Sequence, residues 1–201
     1  MEIIPLRIKI KNLFSELRDY NRIAEIGTIA RRYFLINTFD GVMTVLGIIL
    51  GNWMAGSDNP AVILKIGFAT SISIAISGVW GAYAAETSER IREIKNMSRA
   101  VMKNIGNTKI GRAHRFASFV IAIVDGIAPI LTAVLLLLPF FFTQLSIGKM
   151  YAASILLSFF VLAVLGVFSA AISKEKIFPS VIRMVLAGVT SAVVGHLILN
   201  S

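Results

Sequence analysis

The sequence contains no cysteine and few charged residues. The lack of cysteine excludes disulfides, thiolate metal sites and cysteine nucleophiles. Charged residues make up 15% of the 201 residues, whereas soluble domains carry about 25%. Hydrophobic residues make up 56%, and the mean hydropathy is +0.79. This composition predicts an integral membrane protein built as one helical bundle.

Motifs of catalysis and nucleotide binding are also missing. There is no glycine-rich loop between a strand and a helix, and no Ser/His/Asp set in a plausible context. The two histidines, His114 and His196, are far apart and lack metal-ligand spacing. We therefore expect neither an enzyme nor a bound cofactor. The first 32 residues are basic and lack an apolar core, so we expect no cleavable signal peptide.

Five apolar runs are each near the ~20 residues that cross a bilayer. They span residues 33–55, 61–85, 116–142, 150–172 and 178–199. The sequence thus predicts an all-α integral membrane protein with a transmembrane domain over 33–201. A basic amphipathic arm, residues 1–32, precedes this domain, and a short cytoplasmic helical segment, 86–115, separates spans two and three.

The arm contains an amphipathic helix over residues 8–27. Its apolar residues recur at intervals of three and four, with lysine and arginine among them. Such a helix lies along an anionic membrane surface. The alternative is a helix that is solvated or packed against a partner.

The net charge of +9 is concentrated beside the apolar runs. Residues 1–32 contain seven lysines and arginines, and residues 86–115 contain eight. Because cytoplasmic loops are rich in these residues, we expect a multi-pass protein of the cell membrane with its N-terminus inside and its C-terminus outside. The expected partners of the basic face are anionic lipid headgroups rather than nucleic acid.

Asp40 lies inside the first apolar run, FLINTFDGVMTVLGIILGNWMA. A carboxylate near the membrane centre costs roughly 2.5 kcal/mol or more. On a helix, Asp40, Thr44, Gly47 and Gly51 share one face, and a Gly-x-x-x-Gly pair permits close helix approach. We interpret Asp40 as a cation or proton site, the alternative being a structural acid. Met43, one turn away, is either a soft metal ligand or an ordinary core residue.

Other acids suggest further candidates. Asp125-Gly126 echoes Asp40-Gly41, which suggests a parallel repeat of spans one–two and three–four, or chance. Pro129 frees the Asp125 carbonyl, which gives either a hard-cation ligand or a kink. Glu86 and Glu89, together with Glu93, form either a carboxylate cluster that captures cations or a solvated, salt-bridged helix face.

These motifs resemble a known family. Asp40-Gly41-Val42-Met43-Thr44 is similar to the D-G-x-x-T element in the first span of the vacuolar iron transporter family. The stretch from Gly78 to Tyr83, followed by Ser88-Glu89-Arg90, resembles its second span, and the similarity extends over about 33–199. Two second-span positions depart from the family, because Gly78 and Ala82 replace its Met and Glu. The 86–115 segment also lacks the family's glutamate-rich helices, and Asp125 is an added acid.

The resemblance implies a homodimer whose first spans line a central path. It also implies export of Fe²⁺ or Mn²⁺ from the cytoplasm in exchange for protons, with the metal as substrate. The hypothesis is that Asp40 binds the cation when ionised and releases it when protonated. The candidate metal-binding residues are Asp40, Met43, Thr44, Asp125, Glu86 and Glu89. The alternatives are a non-transporting membrane scaffold or lipid-associated protein, and a transporter of protons or monovalent cations.

Overall fold

A computed structural model of the chain describes the backbone of residues 6–142 and 144–199, and the side chains of residues 15–142 and 144–198. Within these ranges the chain is helical and has no strand. The helices are α1 (Leu6–Ala24), α2 (Ile26–Met54), α3 (Pro60–Ala100), α4 (Lys109–Leu137), α5 (Ile147–Ser173) and α6 (Ile177–Leu199), with a 3-10 turn at Leu138–Phe141. Helices α2 to α6 are long and apolar enough to cross a membrane, which confirms the predicted all-α class and its five spans.

The breaks between helices follow local chemistry. Glu25 has a positive φ of 50° and separates α1 from α2. Asn21 accepts a hydrogen bond of 2.7 Å from the Gly27 N–H, which satisfies a donor at the start of α2. Asn59 caps α3 by accepting from the Ala61 N–H at 3.0 Å, and Pro60 occupies the first helical position.

Helix α3 is longer than the predicted second span. Its 41 residues extend over about 60 Å, twice the thickness of a bilayer's hydrocarbon core. The helical segment predicted over 86–115 is therefore the continuation of α3 to Ala100, followed by a connection and the first turns of α4. Helix α2 likewise begins at Ile26, before the predicted start of the first span at residue 33.

The chain groups into two compact units. Of the described residues, unit 1 comprises those up to Tyr33 together with Gly78–Asp125, and unit 2 comprises Phe34–Ser77 together with those from Gly126 onward. Helices α2, α3 and α4 each contribute to both units.

In unit 1, the end of α1 packs against the start of α4. The Tyr20 and Phe116 rings lie 5.6 Å apart, and the Lys109 ammonium forms an ion pair with Asp19. Small and aliphatic residues fill the space between the helices, namely Ala24, Ile26, Ala113, Ala117 and Ile121. The described side chains of α1 therefore contact protein on one face, as the partner-packed interpretation of this helix expects.

In unit 2, buried residues of α2, α3, α4 and α5 form a larger apolar core. Two side-chain hydroxyls add hydrogen bonds between its segments. Ser154 donates to the Leu136 carbonyl at 2.8 Å, and Tyr151 donates to the Ser57 carbonyl at 2.8 Å. Helices α5 and α6 approach so closely that a Cβ at Gly166 would lie 2.5 Å from the Val181 Cα. Only glycine fits there without a backbone shift.

Candidate functional site

Asp40 lies at the midpoint of α2 and is exposed in the single chain. The next residue, Gly41, is buried, and a Cβ there would come within 3.1 Å of the Pro129 Cα and of the Thr132 Cβ. This close contact with α4 fixes the backbone beside Asp40. The carboxylate itself points away from the unit 2 core, onto the open side of α2.

The rest of the predicted polar face is also open. A Cβ added at Gly47 or Gly51 would meet no atom within 4 Å among the described residues. Thr44 is half-buried on the same side. Asp40, Thr44, Gly47 and Gly51 therefore form an accessible stripe of small and polar groups, which we call the Asp40 face.

Met43 has a different environment. Its side chain is half-buried and packs against the apolar core of unit 2, together with Phe39 and Leu35. This packing agrees with the ordinary role of methionine in cores. Of the three candidates on α2, Asp40 and Thr44 are thus the two that lie on the open stripe.

Asp125 is buried, with 4% of its surface exposed. Its carboxylate sits against Gly78 of α3, where a Cβ would lie 2.5 Å from Asp125 Oδ2. Tyr33 interacts electrostatically with Asp125 and donates a hydrogen bond to the Glu86 carboxylate. Unit 1 therefore brings two of the predicted acids, Asp125 and Glu86, to the same tyrosine.

Glu86 belongs to a buried group of ionisable side chains that we call the Arg90 network. Arg90 is 5% exposed, and its Nε lies 3.4 Å from Glu86 Oε2. Its Nη2 donates to the Ala24 carbonyl at 3.1 Å, while Nη1 lies 3.4 Å from Glu93 Oε2 and 3.3 Å from His114 Nδ1. A buried guanidinium needs such compensation, because removing one partner of a buried pair is strongly destabilising.

His114 Nδ1 contacts a donor and an acceptor at once. It lies 3.3 Å from Arg90 Nη1 and 3.2 Å from Glu93 Oε2. Nδ1 accepts from the arginine when it carries no hydrogen, and it donates to the glutamate when it carries one. A cavity of about 510 Å³ borders these three side chains.

Glu86 and Glu89, predicted as one capture cluster, have opposite environments. Glu86 is buried against Arg90, whereas Glu89 is exposed and lies 4.0 Å from the Arg92 guanidinium. Among the side chains of residues 15–142 and 144–198, the structure assembles no group of three or more His, Asp or Glu that could hold a metal ion.

The sequence interpretation missed Tyr33 and the burial of Arg90. Of the two interpretations of this segment, a cation-capturing cluster and a salt-bridged face in solvent, neither buries Arg90. One signal was available, because small residues of α3 continue into charged ones at helical spacing: Ala75, Gly78, Ala82, Glu86 and Arg90. That periodicity extends a single inward face beyond the apolar span.

Comparison with known proteins gives two matches. The sequence profile of the VIT family matches residues 91–200, just over half of the chain. An uncharacterized protein of Methanocaldococcus jannaschii is 28% identical over 175 residues, which cover 86% of this chain and 90% of that protein. The profile match includes Asp125 and begins after Asp40.

Proposed function

Because the chain belongs to the VIT family, as its motifs predicted, we propose that it exports Fe²⁺ or Mn²⁺ from the cytoplasm in exchange for protons. The family and the five apolar helices make it a multi-pass membrane protein of a transport family. The observation that carries the specific proposal is the exposed carboxylate of Asp40 at the midpoint of an apolar helix.

The Asp40 face supports a homodimer. A carboxylate facing lipid at this depth is costly, and pairing with protein or enclosed water offsets the cost. Gly47 and Gly51 leave open space beside it, and small residues of this kind let two helices approach closely. A second copy of the chain docked here would place a second Asp40 and a second Thr44 near the first pair.

Paired carboxylates and hydroxyls would provide oxygen ligands for a divalent cation. When ionised, the two Asp40 groups would attract the metal, and when protonated they would release it. A thioether at this site would favour a transition metal over Mg²⁺ or Ca²⁺. Met43 could supply it only after leaving the unit 2 core.

The remaining acids take supporting roles in this proposal. Asp125, buried beside Gly78, is the second acid able to bind a cation or accept a proton. Glu86 acts as the counter-ion of Arg90, and the exposed Glu89 is the carboxylate that cations from solution would meet first. The proposed location is the cell membrane, with the basic ends of α1 and α3 in the cytoplasm.

Flux into proteoliposomes tests the role of Asp40. The purified chain is reconstituted with an entrapped dye that Mn²⁺ or Fe²⁺ quenches, and an imposed pH gradient drives exchange. Asp40→Asn keeps the size of the side chain and removes its charge, so we expect the initial rate to fall at least about tenfold, as for lost metal-site interactions. Asp58→Asn, which removes an exposed acid from the α2–α3 connection, is the matched control and should keep the rate.

The alternatives give different results. Asp40→Asn at the wild-type rate would overturn the assigned role of this acid. A wild-type chain that moves no divalent cation and is not stabilised by Mn²⁺ would indicate a non-transporting membrane scaffold or lipid-associated protein. Flux of protons without any divalent cation would indicate the monovalent transporter. Equal unfolding midpoints of the variant and the wild type would exclude a folding defect.

A further inference from the structure

A furrow between α3 and α4 in unit 1 has no role in the proposed transport. Two adjoining cavities form it, of about 350 Å³ and about 410 Å³, and Tyr83 lines both. We call it the α3–α4 furrow and define it by the residues that the argument uses: Trp80, Tyr83, Ile91, Lys95, Arg115 and Phe119.

One end of the furrow is apolar and open. Trp80 is 69% exposed and Phe119 is 56% exposed, and both lie in helices apolar enough to cross a membrane. Tyr83 and Ile91 continue this surface along α3, and both are exposed. These side chains form a trough that a hydrocarbon chain can occupy by van der Waals contact.

The other end of the furrow is basic. Lys95 and Arg115 line it, and among its described lining residues none carries a carboxylate. The third cation there, Arg90, is already paired with Glu86. Within the described part of the chain, Arg115 donates to the Gly106 carbonyl at 3.0 Å, and neither Lys95 nor Arg115 has an ion-pair partner.

The furrow begins near the cytoplasmic end of the predicted second span, 61–85, at Trp80, and extends past that end to Lys95; its length is close to that of one phospholipid. Trp80 and Lys95 are fifteen residues apart on one continuous helix, which corresponds to about 22 Å along its axis. A phospholipid has a similar length, because it fills half of a bilayer that is roughly 40–45 Å thick with its headgroups. One phospholipid thus has the length needed to reach from the two cations to the aromatic pair.

We propose that the α3–α4 furrow binds one anionic phospholipid. Its phosphate lies between Lys95 and Arg115, and an acyl chain follows Ile91 and Tyr83 to Trp80 and Phe119. Two cations without a neighbouring carboxylate disfavour the ammonium of a zwitterionic headgroup, so the furrow selects for net negative charge. This site is independent of the proposed metal site.

Trp80 supplies a reporter for the test, because the chain contains only two tryptophans. The Trp53→Phe variant of the full chain leaves Trp80 as the single fluorophore. It is reconstituted into vesicles in which phosphatidylcholine is progressively replaced by acyl-brominated phosphatidylglycerol or by acyl-brominated phosphatidylcholine. Bromine quenches tryptophan on contact, so the ratio of the two quenching curves measures the lipid preference at the furrow. The Trp80→Phe variant, which keeps Trp53 in α2, reports ordinary annular lipid.

We expect phosphatidylglycerol to be preferred at Trp80 by roughly fivefold or more, since one basic residue near an anionic surface contributes about that factor. The preference at Trp53 should be close to one. Lys95→Ala with Arg115→Ala should bring the Trp80 ratio close to one. The matched control, Lys103→Ala with Arg112→Ala, removes two exposed cations outside the furrow and should leave the ratio unchanged.

Several results would overturn the proposal. Equal quenching of Trp80 by both brominated lipids would show that the furrow holds ordinary annular lipid. Protection of Trp80 from both lipids would show that protein, such as a second copy, covers it. A preference that survives the Lys95/Arg115 double variant would also contradict an anionic phospholipid bound by these cations.

Discussion

Replacing Gly78 with alanine should place a methyl group against the Asp125 carboxylate. The added Cβ would lie 2.5 Å from Asp125 Oδ2 and 3.6 Å from its Cγ, although real Cβ atoms essentially never come within 3.0 Å of a neighbour. Asp125 is buried, so the carboxylate must move from its present position or the helices must separate.

The expected change in the free energy of unfolding of Gly78→Ala follows from two opposing effects. Overpacking of this kind costs about 1–3 kcal/mol. Alanine is favoured over glycine inside a helix by up to about 1 kcal/mol. We therefore expect Gly78→Ala to lower the free energy of unfolding by about 1–2 kcal/mol. In an Asp125→Ala background the clash is absent, so the same substitution should become neutral or slightly stabilising.

The assay is a double-mutant cycle. Unfolding of the micelle-embedded chain by added sodium dodecyl sulfate, followed by circular dichroism, gives a free energy for each variant. We expect a coupling of about 2 kcal/mol between positions 78 and 125, within the range for residues in contact. Gly81→Ala on the same helix is the control, because a Cβ there meets no described atom within 4 Å. Equal effects at Gly78 and Gly81, or additive effects at Gly78 and Asp125, would refute the reasoning.

Two further predictions concern association and pH. Gly47→Ile adds a bulky side chain to the open Asp40 face, at a position where an added Cβ meets no described atom within 4 Å, so it should leave the fold intact and convert the proposed dimer to monomer in light scattering. Gly148→Ile, at another position where an added Cβ meets no described atom, should leave the dimer intact. If the Gly47→Ile variant were still a dimer, the dimer interface would have to lie away from the Asp40 face. The Lys109 hydrogen bond holds the pKa of Asp19 below its ordinary value of 3.8. The stability difference between wild type and Asp19→Asn should therefore persist at neutral pH and vanish as pH falls through that lowered pKa, whereas a difference unchanged in acid would contradict the pairing.

The helices could be predicted from sequence because each depends on local pattern. An apolar run of about 20 residues predicts a span wherever it occurs, and Asn59-Pro60 marks the start of α3 by its own capping chemistry. Span bounds do not predict where a helix begins. The apolar run of the first span begins at residue 33, whereas α2 begins at Ile26, because its early turns are polar but still helical.

The Arg90 network could not be predicted in the same way. Its partners lie 66 residues away at Ala24 and 24 residues away at His114, so only the packing of α1 and α4 around α3 brings them together. Local periodicity shows that Glu86 and Arg90 share a face of the helix. It does not show that another helix covers that face.

The two Asp-Gly pairs show why similar motifs in sequence can require different partners. Asp40 is exposed on α2 in the single chain. A group that offsets its charge is therefore expected from a second copy of the chain, from enclosed water or from a bound cation. Asp125 is buried and interacts with Tyr33 inside unit 1. The two acids should therefore respond differently when the proposed dimer is broken. Gly47→Ile should abolish Asp40-dependent metal flux, while the coupling between Gly78 and Asp125 should be as strong in the monomer as in the wild type. Loss of that coupling together with the dimer would show that Asp125, too, depends on the second copy.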